Sequence, residues 1–188
     1  MEGGHVPRSR PPLLVLVTGL PGTGKSSVAE VIAAEAEAAV LAHDWVMSGL
    51  RPYPEVQAVL SEMEPSGHRV VGWSILTALA RSQLRRGRSV VLDGVARKPE
   101  IAQCAAIAAQ EAARLVVVST QCSDRRVHRS RVEGRERKIP NWYELTWERV
   151  EAALDSWVDP EESDLRLDST DPWDEIRAGI VAYFSTLE

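Results

Sequence analysis

Gly19, Gly24, Lys25 and Ser26 stand in the spacing Gly19-x-x-x-x-Gly24-Lys25-Ser26, which suits the holding of a phosphate chain. Such a chain needs many N–H donors at close range. Glycines let the backbone wrap it without Cβ collisions, and the start of a following helix adds the positive end of its dipole. In a cradle of Gly19, Gly22, Thr23, Gly24, Lys25, Ser26 and Ser27, the Lys25 ammonium is placed to neutralise β- and γ-phosphate charge. The Ser26 hydroxyl is placed to ligate Mg²⁺. The alternative is a chance glycine turn. An apolar strand at 13–17 before the loop and a helical pattern at 25–37 after it argue against that.

Three further groups complete a reaction centre. Asp93 ends the apolar run Val90-Val91-Leu92-Asp93; an acid there can hold Mg²⁺ through water, or merely cap the next loop. Asp44 stands at the end of the second expected strand, whose short apolar run is 39–42. A hydroxyl that accepts a phosphoryl group must lose its proton, and a carboxylate within hydrogen-bond reach can take it; the plainer reading is a turn or helix cap before Trp45. Arg129, Arg131, Arg135 and Arg137 lie in a basic stretch. Guanidinium groups match phosphate oxygens and stack on purines, so a closing segment that carries them, Arg135 among them, supplies transition-state charge. Trp45, beside Asp44, is a candidate wall for the acceptor pocket, although a tryptophan is more often a core residue.

The elements that must position these groups alternate. Strands are expected at 13–17, 39–42, 89–92, 115–119 and 165–167. Helices are expected at 25–37, 55–63, 70–85 (with Val71, Ile75, Leu76 and Leu79 on one face), 99–112, from a Ser123 cap onward, 143–154 and 172–184. Continuous apolar runs fit strands buried on both faces of a parallel sheet, with ligands at the strands' carboxyl ends. The chain of 188 residues suits one domain at 13–188 behind a loose N-terminal tail at 1–12.

Composition narrows the partners. Net charge is −5, with seven basic and three acidic side chains in 123–138 but three basic and thirteen acidic in 144–188. An acidic second half argues against a protein that coats a long nucleic acid. The two cysteines, Cys104 and Cys122, form no CxxC and read as small buried hydrophobes in a reducing cytoplasm. No apolar run reaches the about 20 residues that span a bilayer. Self-association into a homo-oligomer stays open.

On these motifs the chain resembles the small P-loop kinases, a group that includes adenylate kinase, gluconate kinase, adenylylsulfate kinase, zeta toxins, polynucleotide kinase and chloramphenicol phosphotransferase. The resemblance covers roughly residues 13–186. It implies an α/β P-loop NTPase fold: a five-stranded parallel sheet of order 2-3-1-4-5, helices on both faces, and a mobile lid near 125–140. It also implies MgATP as donor. Val91-Leu92-Asp93-Gly94-x-x-Arg97 is similar to an adenylate kinase stretch whose arginine contacts phosphate, which implies such a role for Arg97. The run from Asp124 to Arg129 resembles the start of that family's lid, and implies that Arg129 stacks on adenine. The next arginine of the family falls on Glu133 here, with Arg135 as its candidate substitute. The loop 169–172 is where these kinases wrap the base.

A phosphate acceptor is already deprotonated and needs no base, so Asp44 points to a hydroxyl acceptor. Region 45–68 holds only Arg51 as arginine, which points to a mostly neutral molecule of antibiotic, nucleoside or sugar type, as in chloramphenicol phosphotransferase. One alternative is a nucleotide or polynucleotide 5′-hydroxyl kinase. The other is a P-loop ATPase switch or motor, although the chain carries neither Asn-Lys-x-Asp nor Leu-Ser-Gly-Gly-Gln.

Overall fold

The computed structural model of the chain describes residues 10–64, 66–154 and 157–187. Most of the expected tail, residues 1–9, lies outside them. Pro12 already belongs to the fold, since its carbonyl accepts from the Arg114 N–H at 2.9 Å.

The chain runs β1 (Leu13–Thr18), α1 (Lys25–Glu35), β2 (Ala39–Ala42), α2 (His43–Leu50), α3 (Pro54–Glu62), α4 (Gly67–Leu84), β3 (Val90–Asp93), α5 (Lys98–Gln110), β4 (Arg114–Gln121), α6 (Arg125–Glu133), α7 (Trp147–Leu154), β5 (Leu165–Asp168) and α8 (Trp173–Ser185). The five strands form one parallel sheet in the order β2-β3-β1-β4-β5, as expected. Parallel neighbours need crossover connections, and the intervening helices supply them.

The central strand explains why the sheet is covered on both sides. Leu14 and Leu16 face one core with Trp73, Leu76, Ile101 and Cys104, while Val15 and Val17 face the other with Val28, Ile32, Ile176 and Ile180. Period-2 alternation sends successive residues to opposite faces, and all four are fully buried. Each such aliphatic side chain contributes about 1.5–3 kcal/mol of burial free energy.

Register then gathers the chemistry. Asp93 lies level with Val17 on β1 and with Ala42 on β2. The phosphate loop after β1, the carboxylate ending β3 and the turn into α2 therefore open at one edge.

Several local expectations are corrected. Asp44 lies in the first turn of α2, a helix that the mixed pattern of 45–68 concealed, and not at a strand end. The cap of α6 is Asp124, whose carboxylate accepts from the N–H groups of Arg126 and Val127; Ser123 makes no such contact. On α4 the inward face is Gly72, Trp73, Leu76, Thr77 and Ala80, and Leu79 is exposed. Cys104 is buried but Cys122 is only partly so.

Candidate functional site

The loop 19–24 owes its shape to positions that no side chain can occupy. Gly19 has φ +148°, and a Cβ there would sit 2.3 Å from the Thr120 carbonyl oxygen. Gly22 has φ +88°, and its Cβ would lie 2.7 Å from Val132 and 3.0 Å from the His128 ring. Thr23 ties the loop internally: its hydroxyl donates to the Leu20 carbonyl at 2.7 Å and lies 2.7 Å from the Thr120 hydroxyl. From outside, His128 Nε2 donates to the Pro21 carbonyl at 2.7 Å.

Lys25 opens α1, is 9% exposed, and donates through Nζ to the Leu20 carbonyl at 2.9 Å. Burial holds its ammonium below the ordinary lysine range, against the opposing pull of Asp93 and Asp44. Beside it, Ser26 Oγ donates to Asp93 Oδ2 at 2.8 Å, and Asp93 is buried. A hydroxyl and a carboxylate are hard oxygen donors of the kind that hold Mg²⁺ together with phosphates and water. The described residues contain no cluster of three or more His, Cys, Asp or Glu fit for a metal, so an ion here would rely on the phosphates for its other ligands. This donor set fits Mg²⁺ on that footing.

Asp44 stands on the far side of the opening. Burial pushes its carboxyl up, but the His43 hydrogen bond and the charges of Arg137, His43 and Lys25 bring it below the ordinary aspartate range. The first turn of α2 adds a favourable dipole end. Arg137 Nη1 donates to Asp44 Oδ2. The same guanidinium reaches Glu144 at 3.2 Å and the Tyr143 carbonyl at 3.0 Å, and its side chain is 6% exposed. Arg97 is delivered by the loop after β3, which Thr18 pins through its hydroxyl to both the N–H and the carbonyl of Ala96, at 2.9 and 3.1 Å.

Two cavities meet at this centre. One, of about 380 Å³, lies over the phosphate loop and includes Ser27, Arg131, Ser169 and Trp173. The other, of about 590 Å³, includes Asp44, Trp45, Asp93 and Arg97. Lys25, Ser26 and Arg135 line both. Among the described residues Arg135 makes no hydrogen bond or ion pair; burial, then Arg137, lowers its guanidinium from the ordinary range.

Arg129 is not brought to either cavity. It is exposed and paired to Glu133 at 2.8 Å. Arg131, two residues on, takes the place by the phosphate loop, bonded to Ser169 Oγ at 2.7 Å and its carbonyl at 2.8 Å. One helical turn spans 3.6 residues, so Arg129 and Arg131 point to different sides of α6. Arg69, Arg97, Arg135 and Arg137 reach the acceptor-side cavity from segments outside 45–68. His128, Trp142 and Tyr143 were not singled out from sequence for these positions, whereas Arg131 and Arg137 were named with the basic stretch. The basic stretch announced arginines without saying which faced inward.

Comparisons with known proteins agree with this fold. A family model described as an AAA domain matches residues 14–160. A UPF0200 protein of Aeropyrum pernix is 38% identical over 90 residues, 44% of this chain and 46% of that relative; the match thus spans under half of the relative's length. The gluconokinase structure from Sinorhizobium meliloti is 20% identical with a TM-score of 0.64, covering 95% of this chain and 94% of its own. The Mycobacterium tuberculosis APS kinase in complex with AMPPNP and APS is 20% identical with a TM-score of 0.63, covering 94% and 99%. Kti12 of Chaetomium thermophilum in complex with ADP-AlF3 is 17% identical with a TM-score of 0.67, covering 93% and 99%. At these identities the likeness shows the fold, that of the small P-loop kinases.

Proposed function

The chain belongs to the AAA domain family, and from that premise we propose that it is a kinase which transfers the γ-phosphoryl group of MgATP to a hydroxyl of a small molecule of sugar, nucleoside or antibiotic type. The observation that carries the reading is the meeting of two cavities at Lys25, Ser26 and Arg135, with Asp44 on the acceptor side.

In this reading the loop N–H groups and Lys25 bind the phosphates. Ser26 and Asp93 would hold Mg²⁺, which when bound would supply charge neutralisation on the phosphate oxygens. Asp44, ionised at neutral pH, takes the acceptor hydroxyl's proton. The oxygen bonds to the γ-phosphorus, the bond to the bridging β–γ oxygen breaks, and ADP leaves with that electron pair. Arg135 meets the equatorial charge that spreads during transfer. The segment 134–146, which carries Arg135 and Arg137, closes over the site and excludes water. Trp45 walls the acceptor, and Arg131 takes the nucleotide-side role first assigned to Arg129. Unpaired Cys104 and Cys122 suit a cytoplasmic setting, and no helix among the described residues is long and apolar enough to cross a membrane.

The test is an acceptor screen that reads ADP release, followed by mass spectrometry of the product, in wild type and Asp44→Asn. A hydroxyl acceptor whose turnover falls about 10²–10⁴-fold in the variant supports the reading. A nucleoside monophosphate as best acceptor, with Asp44→Asn near wild type, would make the chain a nucleotide kinase and Asp44 incidental.

A further inference from the structure

Each carboxylate oxygen of Asp44 faces a different neighbour. Arg137 Nη1 donates to Oδ2, and His43 Nδ1 lies 3.8 Å from Oδ1. Lys25 and Arg135 act on the same carboxylate by charge alone. Burial raises the Asp44 carboxyl, and His43 leads the influences that bring it down. Arg137 belongs to the segment 134–146, which closes and opens in the proposed reaction. His43 precedes Asp44 in the first turn of α2 and stays beside it.

The His43 ring fills a slot between α2, α4 and the loop after β3, and its side chain is 17% exposed. On α4, a Cβ at Gly72 would sit 2.4 Å from His43 Nε2 and 2.7 Å from Met47 Sδ. After β3, a Cβ at Gly94 would sit 3.1 Å from His43 Cβ and 2.9 Å from Trp73. The Trp73 ring closes another side, its centroid 5.9 Å away. The slot takes a side chain of this size, but packing does not ask for nitrogen. Nε2 is buried there with no hydrogen-bond partner among the described residues, and a buried polar atom left so is costly. An apolar side chain would avoid that cost, so the reason for a histidine lies with its other nitrogen. A carboxylate only accepts. In the neutral imidazole the proton therefore sits on Nδ1, facing Asp44, and the bare Nε2 faces the slot.

We infer that His43 is a positioning residue for the proposed base: its Nδ1–H holds Asp44 Oδ1 in place, so that a free lone pair of the carboxylate meets the acceptor hydroxyl. This rests on the hydroxyl-kinase reading of Asp44 and adds the residue that aims it. At 3.8 Å the contact is open; hydrogen bonds of catalytic sites are often long before the ligands enter and tighten with them. Aim matters here, because a misplacement of about 1 Å can cost about 10²-fold in rate.

The test compares substitutions in the full chain. His43→Asn keeps an N–H donor at the place of Nδ1, His43→Gln moves it out toward the place of Nε2, and His43→Leu fills the slot with no donor. One readout needs no acceptor: the Asp44 side-chain carboxyl is followed by carbon NMR against pH, its signal assigned by its loss in Asp44→Asn. Loss of a donor to the charged form raises a carboxyl, so the midpoint should rise in His43→Leu and His43→Gln and stay near wild type in His43→Asn. The other readout is ADP release from MgATP with D-gluconate, D-glucose, adenosine and uridine as acceptor probes. With the probe that turns over fastest, kcat should fall about ten- to hundred-fold in His43→Leu and His43→Gln, with KM for ATP unchanged, and His43→Asn should recover most of it. Melting should run the other way, since leucine packs a dry slot better than asparagine; a residue that only packs would lose activity and melting together. A midpoint that does not move in a folded His43→Leu overturns the proposal. So does wild-type kcat in that variant, or an equal loss in His43→Asn and His43→Leu. If no probe turns over, or if Asp44→Asn keeps the rate, the kinase reading is what fails, and the NMR midpoint still decides whether His43 holds Asp44.

Discussion

Ser26 on α1 and Asp93 at the end of β3 are joined by a 2.8 Å hydrogen bond across 67 residues of sequence. The bond exists because β1 and β3 pair in a register that sets Asp93 level with Val17, one strand over from the phosphate loop. In the proposed reaction these two oxygens would hold Mg²⁺. Asp93→Asn removes the negative charge and keeps the shape. Its activity should fall and recover in part as Mg²⁺ is raised, measured as rate against free Mg²⁺. A uniform loss at every Mg²⁺ concentration would leave Asp93 as a structural partner of Ser26.

Lys25 gives a cleaner separation of chemistry from stability. Its ammonium is buried and depressed by desolvation, so the folded state gains little from it. Lys25→Met should abolish detectable phosphoryl transfer while thermal melting stays the same or rises slightly. Near-normal turnover in that variant would remove the phosphate role from Lys25.

The phosphate loop is clamped from outside by His128, which is 2% exposed and packs edge-on against Trp147 at 5.3 Å. Its bond to the Pro21 carbonyl fixes the peptide that enters Gly22. Loss of one buried hydrogen bond of this kind costs about 1–3 kcal/mol when a partner is left unpaired. His128→Phe keeps bulk and loses the donor, so KM for ATP should rise several-fold with a lowered Tm. His128→Gln, which can still donate, should recover much of both. Gly22→Ala should be worse than either, because a Cβ there meets Val132 at 2.7 Å in a backbone region that side chains avoid. An unchanged ATP KM in His128→Phe would show that the clamp does not reach the nucleotide.

How much of this was legible in the chain follows from the range of each signal. The phosphate loop and the alternation of strands with helices are local, a glycine spacing and apolar runs, and were readable because period and spacing carry them. The strand order was an implication of the resemblance to the small P-loop kinases, which that loop carries. Helix α2 was concealed because it is only eight residues long, follows β2 without a break and is soon followed by Pro52 and Pro54. The inward arginines were not readable because facing depends on helix phase and on an irregular stretch, 134–146, whose path turns at Lys138 and Asn141 with φ of 52° and 58°. Neither residue is a glycine, so nothing local marked those turns. Asp44 was chosen from sequence for its position, but its ion pair with Arg137 spans 93 residues and leaves no trace in either segment.

Under the proposed kinase reading, that ion pair fixes the expected pH behaviour. Burial raises the Asp44 carboxyl, and the His43 hydrogen bond followed by Arg137 and the other nearby cations outweighs it, leaving the folded value below the ordinary one. A depressed carboxyl contributes stability that is fully present above its unfolded value of about 3.9 and is lost as pH falls through the lower folded value. The same depression keeps Asp44 ionised as a proton acceptor into mildly acidic solution, so the acid limb of the rate profile should lie below the usual carboxylate range. Arg137→Met removes one lowering influence and keeps the buried stem. Its acid limb should therefore move to higher pH, and the variant should become less stable relative to wild type as pH rises above the unfolded value, where the lost attraction would have acted. At neutral pH two effects oppose each other in the rate. Asp44 becomes a stronger base when freed from a cation, yet it loses a positioning partner whose guanidinium also holds Glu144 and the Tyr143 carbonyl. The profile separates them, since basicity moves the limb and positioning lowers the plateau. A limb that stays in place in Arg137→Met, measured as kcat against pH with the best acceptor from the screen, would mean that Asp44 is not the group whose ionisation the rate reports.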